Sequence, residues 1–160
     1  MKVTTLMLLV SAVGIALHLQ EIRDRLTAFH AKTRWYEDDE QARSEAKSEN
    51  KFVLLRFTGS DWCGVCKALD REVLSTDEFK EMADENFVLV DVDYPRHKSQ
   101  PAALMAQNAQ LGRQYGITGV PTVVVLNSNG VVVRQLGYHP GAPGDFLAEL
   151  KRFRRVASQP

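Results

Sequence analysis

The two cysteines of this chain stand three residues apart, where a predicted strand ends and a predicted helix begins. Cys63 and Cys66 are the only cysteines among 160 residues. The apolar run 52–55 precedes them, and the helix-compatible run 67–74 follows. Residues three apart lie on one face of a helix, so the two sulfurs can reach bonding distance without bending the backbone. The spacing and its setting therefore predict a redox-active pair.

The two thiols are expected to differ in role. Cys63 would lie at the helix N-terminus, where unpaired N–H groups and the helix dipole lower a thiol pKa from about 8.5 toward neutrality. We therefore expect Cys63 to be the exposed nucleophile. Cys66, one turn further on and more buried, would be the resolving thiol. Gly64 between them lets the backbone of a substrate come close.

Two other uses of the cysteines compete with redox chemistry. A zinc site usually needs four ligands, but the chain has no second cysteine pair. None of its four histidines has H-x3-5-H spacing; they are His18, His30, His97 and His139. Two inert core cysteines would be a coincidence at a strand-to-helix junction directly after Trp62. We expect neither a metal nor an organic cofactor at the pair.

At these residues the chain resembles the thioredoxin superfamily. The segment 62–67, Trp-Cys-Gly-Val-Cys-Lys, is similar to the family's Trp-Cys-Gly-Pro-Cys-Lys, with Val65 in place of the usual proline. The resemblance places Trp62 and Lys67 beside the cysteines as supporting residues. It is closest to a bacterial branch with Phe-Thr-Gly-Ser-Asp-Trp-Cys and a later Gly-Tyr-x-Pro-Gly, here residues 137–141.

A second family motif lies at residues 119–122, Gly-Val-Pro-Thr. It looks like the loop that carries a cis-proline, so the resemblance implies a cis Val120–Pro121 bond facing the cysteines. Proline has no N–H to compete with the thiols, and the backbone of Val120 can pair with an extended substrate strand. The alternative is an ordinary trans proline at the start of a strand.

Arg56 departs from the family pattern. Many thioredoxins have a buried Asp at this strand position, and a guanidinium cannot replace it as a base. Arg56 could pair with Asp91 on the neighbouring strand, or it could stabilise a thiolate at the site, which we slightly prefer. Asp61 and Lys67 are also close enough in sequence to act on Cys63, although exposed charges often contribute little.

The predicted element order after residue 34 is α-β-α-β-α-β-β-α. The first helix is placed at residues 35–50 and the strands at 52–57, 87–92, 122–126 and 131–136, with a hairpin turn at 127–130. This order predicts an α/β, thioredoxin-like fold with a central mixed sheet flanked by helices. The expected domain spans residues 35–157, and residues 20–34 would be a spacer.

Residues 1–19 are a candidate signal peptide or membrane anchor. After Lys2, residues 3–19 carry no formal charge, a length between a signal-peptide core and a membrane span. The best small-x-small cleavage triplet is residues 14–16, and it is poor. The cations at 23, 25, 32 and 34 favour a cytoplasmic C-terminal side. Even so, we expect the protein to be exported, either into the periplasm or to the membrane, where residues 1–19 would anchor it facing the periplasm. The alternatives are a cytoplasmic location and a helix packed on the domain.

The sequence predicts a thiol–disulfide oxidoreductase that acts on protein disulfides or dithiols and exchanges electrons with a redox partner protein. Lys+Arg and Asp+Glu both number 20, so no overall charge points to nucleic acid. One alternative is a copper or haem-assembly metallochaperone, with Cys63 and Cys66 as soft ligands and His139 as a further donor. Another is a non-catalytic interaction domain, which the intact cysteine pair disfavours.

Overall fold

The computed structural model describes residues 18–19 and 33–153. The chain divides into two units between residues 32 and 33, and the second is described below. The predicted signal or anchor segment and the spacer up to residue 32 fall outside the described residues, His18 and Leu19 excepted. Within the described ranges, no helix is long and apolar enough to cross a membrane.

The elements alternate along the chain much as predicted. The strands are β1 (Trp35–Tyr36), β2 (Phe52–Thr58), β3 (Phe87–Asp93), β4 (Thr122–Leu126) and β5 (Val132–Gly137). The helices are α1 (Asp39–Glu49), α2 (Gly64–Leu69), α3 (Asp77–Asn86), α4 (Ala102–Gln114) and α5 (Pro143–Leu150). A π-helical turn, Asp70–Leu74, directly continues α2. Such turns often occur at functional sites.

The strands form one mixed sheet in the order β1-β3-β2-β4-β5. β2 is central, parallel to β3 and antiparallel to β4. β1 and β3 are also parallel, and β4 and β5 form the antiparallel hairpin. The predicted α/β, thioredoxin-like fold class is therefore confirmed.

The predicted first helix is wrong at its start. Trp35 and Tyr36 form a short strand that pairs with Leu89 and Val90 of β3. The helix begins only after Asp38, whose carboxylate accepts the N–H of Gln41 and caps it. An amphipathic pattern does not distinguish a helical turn from a two-residue strand, because the partner strand decides.

The sheet has an apolar layer on each face. One layer joins Leu54 of β2 to side chains from α2, α3 and α5, including Leu69, Phe79 and Leu150. The other joins Leu55 of β2 to α1 and α4. Leu54 and Leu55 are fully buried on opposite faces, and each contributes roughly 1.5–3 kcal/mol by burial. Because β2 is fixed on both sides, the loop that follows it starts from a rigid point.

Candidate active site

The cysteine pair lies at the start of α2, after the loop that connects β2 to this helix. Cys63 is the N-cap of α2 and forms a disulfide with Cys66, their Cα atoms 5.3 Å apart. The Sγ atom of Cys63 accepts the backbone N–H of Cys66 at 3.1 Å, so an N–H at the helix start points at this sulfur. That donor would stabilise a Cys63 thiolate once the disulfide is reduced.

Cys63 is less accessible than expected. Cys63 is 6% exposed and Cys66 2% exposed, so the nucleophile expected to be exposed is buried in the disulfide form. The order of exposure is the expected one. Gly64 and Val65, between the cysteines, are exposed, and no atom lies within 4 Å of a Cβ placed on Gly64. A partner backbone therefore has room above the loop.

The loop before β4 lies against the cysteine pair. The Val120–Pro121 peptide bond is cis, as the resemblance implies. The carbonyl oxygen of Val120 lies 3.8 Å from Cys63 Sγ. The two segments identified in the sequence are thus neighbours in space.

Trp62 is held by three contacts. Its Nε1 donates to the carbonyl oxygen of Tyr94 at 2.8 Å. Its ring covers Gly59 so closely that a Cβ there would lie 2.4 Å from the indole. The guanidinium of Arg96 stacks over the ring, 3.8 Å from the centroid. Tyr94 and Arg96 were not predicted as site residues, because the segment that carries them joins the site only in the folded chain.

Asp61 fixes that segment to the site. Its carboxylate accepts the backbone N–H groups of Arg96, His97 and Lys98, at distances from 2.6 to 3.1 Å. Desolvation acts to raise the pKa of Asp61, but these donors and nearby His97 outweigh it and hold the pKa below its ordinary value. Lys67 donates to the backbone oxygen of Asp61 at 3.2 Å.

Arg56 is paired with two carboxylates. It lies opposite Asp91 in the β2–β3 register and donates to Asp91 Oδ1 at 3.0 Å. It also bonds to Asp70 in the π-helical turn and stacks on the ring of Trp35. These contacts favour the structural alternative over the thiolate-stabilising role preferred from sequence, since two anions cancel most of the field of one guanidinium.

Asp91 is affected by two opposing influences. Burial raises the pKa of its carboxyl, and the charge and hydrogen bond of Arg56 lower it, with a net increase above the ordinary value. Arg56 is therefore the group that offsets the effect of burial on this carboxyl.

The Gly-Tyr-x-Pro-Gly segment is tied to the π-helical turn. The hydroxyl of Tyr138 donates to Glu72, and its ring meets Phe146 of α5 edge to face. Burial and the bond to Glu72 raise the pKa of Tyr138 to about 12. His139 is exposed on the same segment.

A shallow groove of about 530 Å³ runs beside the cysteine pair. It is lined by Trp62 and Tyr94, by the end of α4 with Arg113, and by the loop up to Val120. Its exposed surface is mainly apolar, so it suits an extended polypeptide better than a small charged molecule.

Fold and site together define a class of protein. A Cys-x-x-Cys pair that forms a disulfide at a helix start, beside an open groove, performs thiol–disulfide exchange, so the protein is a thiol–disulfide oxidoreductase. The thioredoxin-like domain family matches residues 39–154, and the chain belongs to that family.

Similar proteins carry out related chemistry. The chain is 32% identical over 121 residues to the disulfide bond reductase DsbH of Chlamydia pneumoniae, covering 76% of this chain and 72% of the relative. A solved structure of a DsbH oxidoreductase matches with a TM-score of 0.71 and 30% identity, over 79% of this chain and 88% of the other. The oxidised C-terminal domain of Neisseria meningitidis DsbD matches with a TM-score of 0.54 and 25% identity, over 76% of this chain and all of that domain.

The metallochaperone alternative receives no support from these relatives. Across residues 18–19 and 33–153, no group of three or more His, Cys, Asp or Glu side chains is arranged to hold a metal ion.

Proposed function

We propose that the protein is an exported reductase of protein disulfides. In the reduced state, the Cys63 thiolate attacks one sulfur of a substrate disulfide and releases the other as a thiol, which leaves a mixed disulfide. Cys66 then attacks Cys63, releases the second substrate thiol and closes the Cys63–Cys66 disulfide. Two electrons and two protons pass to the substrate, and a dithiol partner protein restores the cysteine pair.

The observation that carries this proposal is the N–H of Cys66 directed at Cys63 Sγ. It distinguishes the two sulfurs, because within the described part of the chain a backbone N–H that would stabilise a thiolate reaches Cys63 but not Cys66. Cys66 is the more buried of the two, as suits a thiol that attacks only after a substrate has bound to Cys63.

Supporting residues would position the substrate. An extended segment entering the groove would meet the backbone of Val120 next to Cys63, and Pro121 offers no competing N–H. Gly64 and Val65 would leave the approach open, and Trp62 would form the groove wall. Lys67, held by the backbone oxygen of Asp61, would keep that loop in place.

The direction of electron flow is proposed to be reduction. One relative, DsbH of Chlamydia pneumoniae, is a disulfide bond reductase. Arg56 is neutralised by Asp70 and Asp91, so it does not favour thiolates and thereby the reduced form. Equilibration of the cysteine pair with glutathione buffers would measure its reduction potential. A value near the thioredoxin range, about −270 mV, is expected, and a value near −120 mV would identify an oxidase instead.

The assay that tests the function is reduction of insulin by catalytic amounts of the full chain with dithiothreitol as donor. Acceleration over dithiothreitol alone is expected, and Cys63→Ser should abolish it. A full chain that equilibrates with glutathione yet does not accelerate insulin reduction would contradict a reductase role.

We also propose where the protein is located and where its domain begins and ends. Residues 1–19 would export the protein or anchor it with the domain, residues 35–157, facing the periplasm. A fusion of residues 1–34 to a reporter active only in the periplasm should be active. Activity of a cytoplasm-specific reporter instead would support the orientation favoured by the cations at 23, 25, 32 and 34.

A further inference from the structure

The charges of this chain are unevenly distributed along it. No Asp or Glu occurs between Asp93 and Asp145. The same stretch supplies most of the groove wall, from Tyr94 through the end of α4 to Val120. It contributes Arg96, Lys98 and Arg113 to this side of the molecule.

Ion pairing shows the same division. Among the described residues, eight cations have a carboxylate within ion-pair distance: Arg43, Lys51, Arg56, Arg71, Lys80, Arg134, Lys151 and Arg152. Six make no ion pair with another described residue. Two of them, Arg34 and Lys47, lie elsewhere, and the other four lie around the cysteine pair and the groove: Lys67, Arg96, Lys98 and Arg113.

The nearby carboxylates are already occupied by other donors. Asp61 accepts three backbone N–H groups, and Asp93 accepts both the N–H and the hydroxyl of Ser60. Neither carboxylate lies within ion-pair distance of the guanidinium of Arg96 or Arg113. Asp61 and Asp93 are thus engaged by backbone and hydroxyl donors, and none of the four cations makes an ion pair with a carboxylate of the described residues.

Arg96 is the cation best prepared for a ligand. One face of its guanidinium stacks on Trp62, and its backbone N–H is fixed by Asp61. A stacked guanidinium keeps its N–H edge free to bind a carboxylate through two hydrogen bonds, and less side-chain entropy is lost because the plane is already oriented.

Resting on the proposed reductase function, we infer that the groove selects partner-protein segments that carry Asp or Glu close to the reactive disulfide. The disulfide would lie at Cys63, and the acidic side chains would reach Arg96 or Lys98 beside Trp62 and Arg113 in the groove lining. The apolar groove holds the backbone, and the unpaired cations determine which sequences bind fastest.

The test uses two disulfide-linked fluorogenic peptides that are identical except for Glu or Gln on both sides of the cysteine. The pre-reduced full chain should reduce the Glu peptide about tenfold faster at low salt, and the ratio should fall to about twofold at 0.5 M salt because screening shortens the range of the cations. Arg113→Gln and Arg96→Gln should each lower the Glu-to-Gln rate ratio about threefold. Arg113→Gln is the cleaner of the two, since Arg96 also stacks on Trp62.

Arg134→Gln is the matched control, because it removes one positive charge from β5, where Arg134 pairs with Glu149. It should leave the ratio unchanged. Equal rates for the two peptides, or a ratio indifferent to both groove variants, would overturn the acidic preference while leaving the reductase function intact. Failure to reduce either peptide by a chain whose cysteines are shown to be reduced would overturn the proposed function and this inference with it.

Discussion

Arg56 on β2 and Asp91 on β3 are register partners in the parallel sheet, and Arg56 Nε donates to Asp91 Oδ1 at 3.0 Å. The Arg56 side chain is 13% exposed. Removing one member of so shielded a pair leaves the other charge without compensation, and that is the larger part of the energetic cost. The contacts of Arg56 therefore predict that it stabilises the fold and does not act on the thiols.

Arg56→Met should lower the free energy of unfolding by about 1–3 kcal/mol, because Asp91 and Asp70 lose their donor. The reduction potential of the Cys63–Cys66 pair should move by less than about 10 mV, because the lost charge was already neutralised. Urea denaturation and glutathione equilibration of the same samples measure both quantities.

Arg134→Met supplies the comparison for a surface ion pair, and its effect on stability should stay below about 0.5 kcal/mol. If Arg56→Met lowers the potential by tens of millivolts while stability is unchanged, the guanidinium acts on the thiols and the structural explanation is wrong.

A substitution at Gly59 tests whether the Trp62 ring is held against this residue. A Cβ on residue 59 would lie 2.4 Å from the indole, so Gly59→Ala must displace the ring and weaken its bond to Tyr94. We expect a loss of about 1–3 kcal/mol in stability, a shift in tryptophan fluorescence and slower insulin reduction.

Gly64→Ala is the control for the loss of a glycine near the cysteines. Its Cβ meets open space at the start of α2, where Ala is favoured over Gly by up to about 1 kcal/mol. Its stability should be unchanged or higher. Fluorescence and stability of Gly59→Ala equal to those of the unaltered chain would show that the ring is not held against residue 59.

The predictable parts of the fold depend on local chemistry. The strand–cysteine–helix junction and the turn at 127–130 are specified by neighbouring residues; in that turn Asn127 Oδ1 accepts two backbone N–H groups and Gly130 has a φ of 81°. The strand at Trp35 was missed because it exists only through pairing with Leu89, far along the chain. Local patterns do not contain such long-range information.

The candidate site divides in the same way. Sequence motifs predicted the positions of Cys63, Cys66 and Pro121. The two neighbouring predicted strands suggested the pair of Arg56 with Asp91. Asp70 was not predicted as the second partner of Arg56, because the end of α2 is brought to β2 only in the folded chain. The contacts that join Asp61 to residues 96–98 also depend on the fold. The absence of Asp and Glu between Asp93 and Asp145 was the available signal for the unpaired cations around the groove.

Cys66→Ser should trap substrates. Without the resolving thiol, Cys63 remains attached to its partner as a mixed disulfide that is stable until a reductant is added. Non-reducing electrophoresis of the tagged variant from cell extracts should show higher-mass adducts that disappear with dithiothreitol. Cys63→Ser, the matched control, should give few adducts. Trapping by Cys63→Ser rather than Cys66→Ser would show that the two roles are reversed.

The raised pKa of Tyr138 predicts that the folded chain loses stability at alkaline pH. The pKa of Tyr138 is raised to about 12 in the folded chain, whereas an unfolded tyrosine titrates near 10. Below about pH 10 the hydroxyl is protonated in both states, and its contribution to stability is complete. Between about pH 10 and 12 the unfolded chain has lost the proton that the folded chain retains, so stability falls as the pH rises.

The stability advantage over Tyr138→Phe should therefore shrink across about pH 10–12 in urea denaturation. Glu72→Gln keeps an acceptor for the hydroxyl but removes the negative charge, so its alkaline loss should be smaller. The hydrogen bond from Tyr138, followed by that from Arg71, lowers the pKa of Glu72. The stability that ionised Glu72 contributes is thus present above the unfolded pKa of about 4.3, and it is lost as the pH falls through the lower folded pKa. If Tyr138→Phe tracks the unaltered chain at both extremes of pH, this hydrogen bond does not link the segment 137–141 to the π-helical turn in solution.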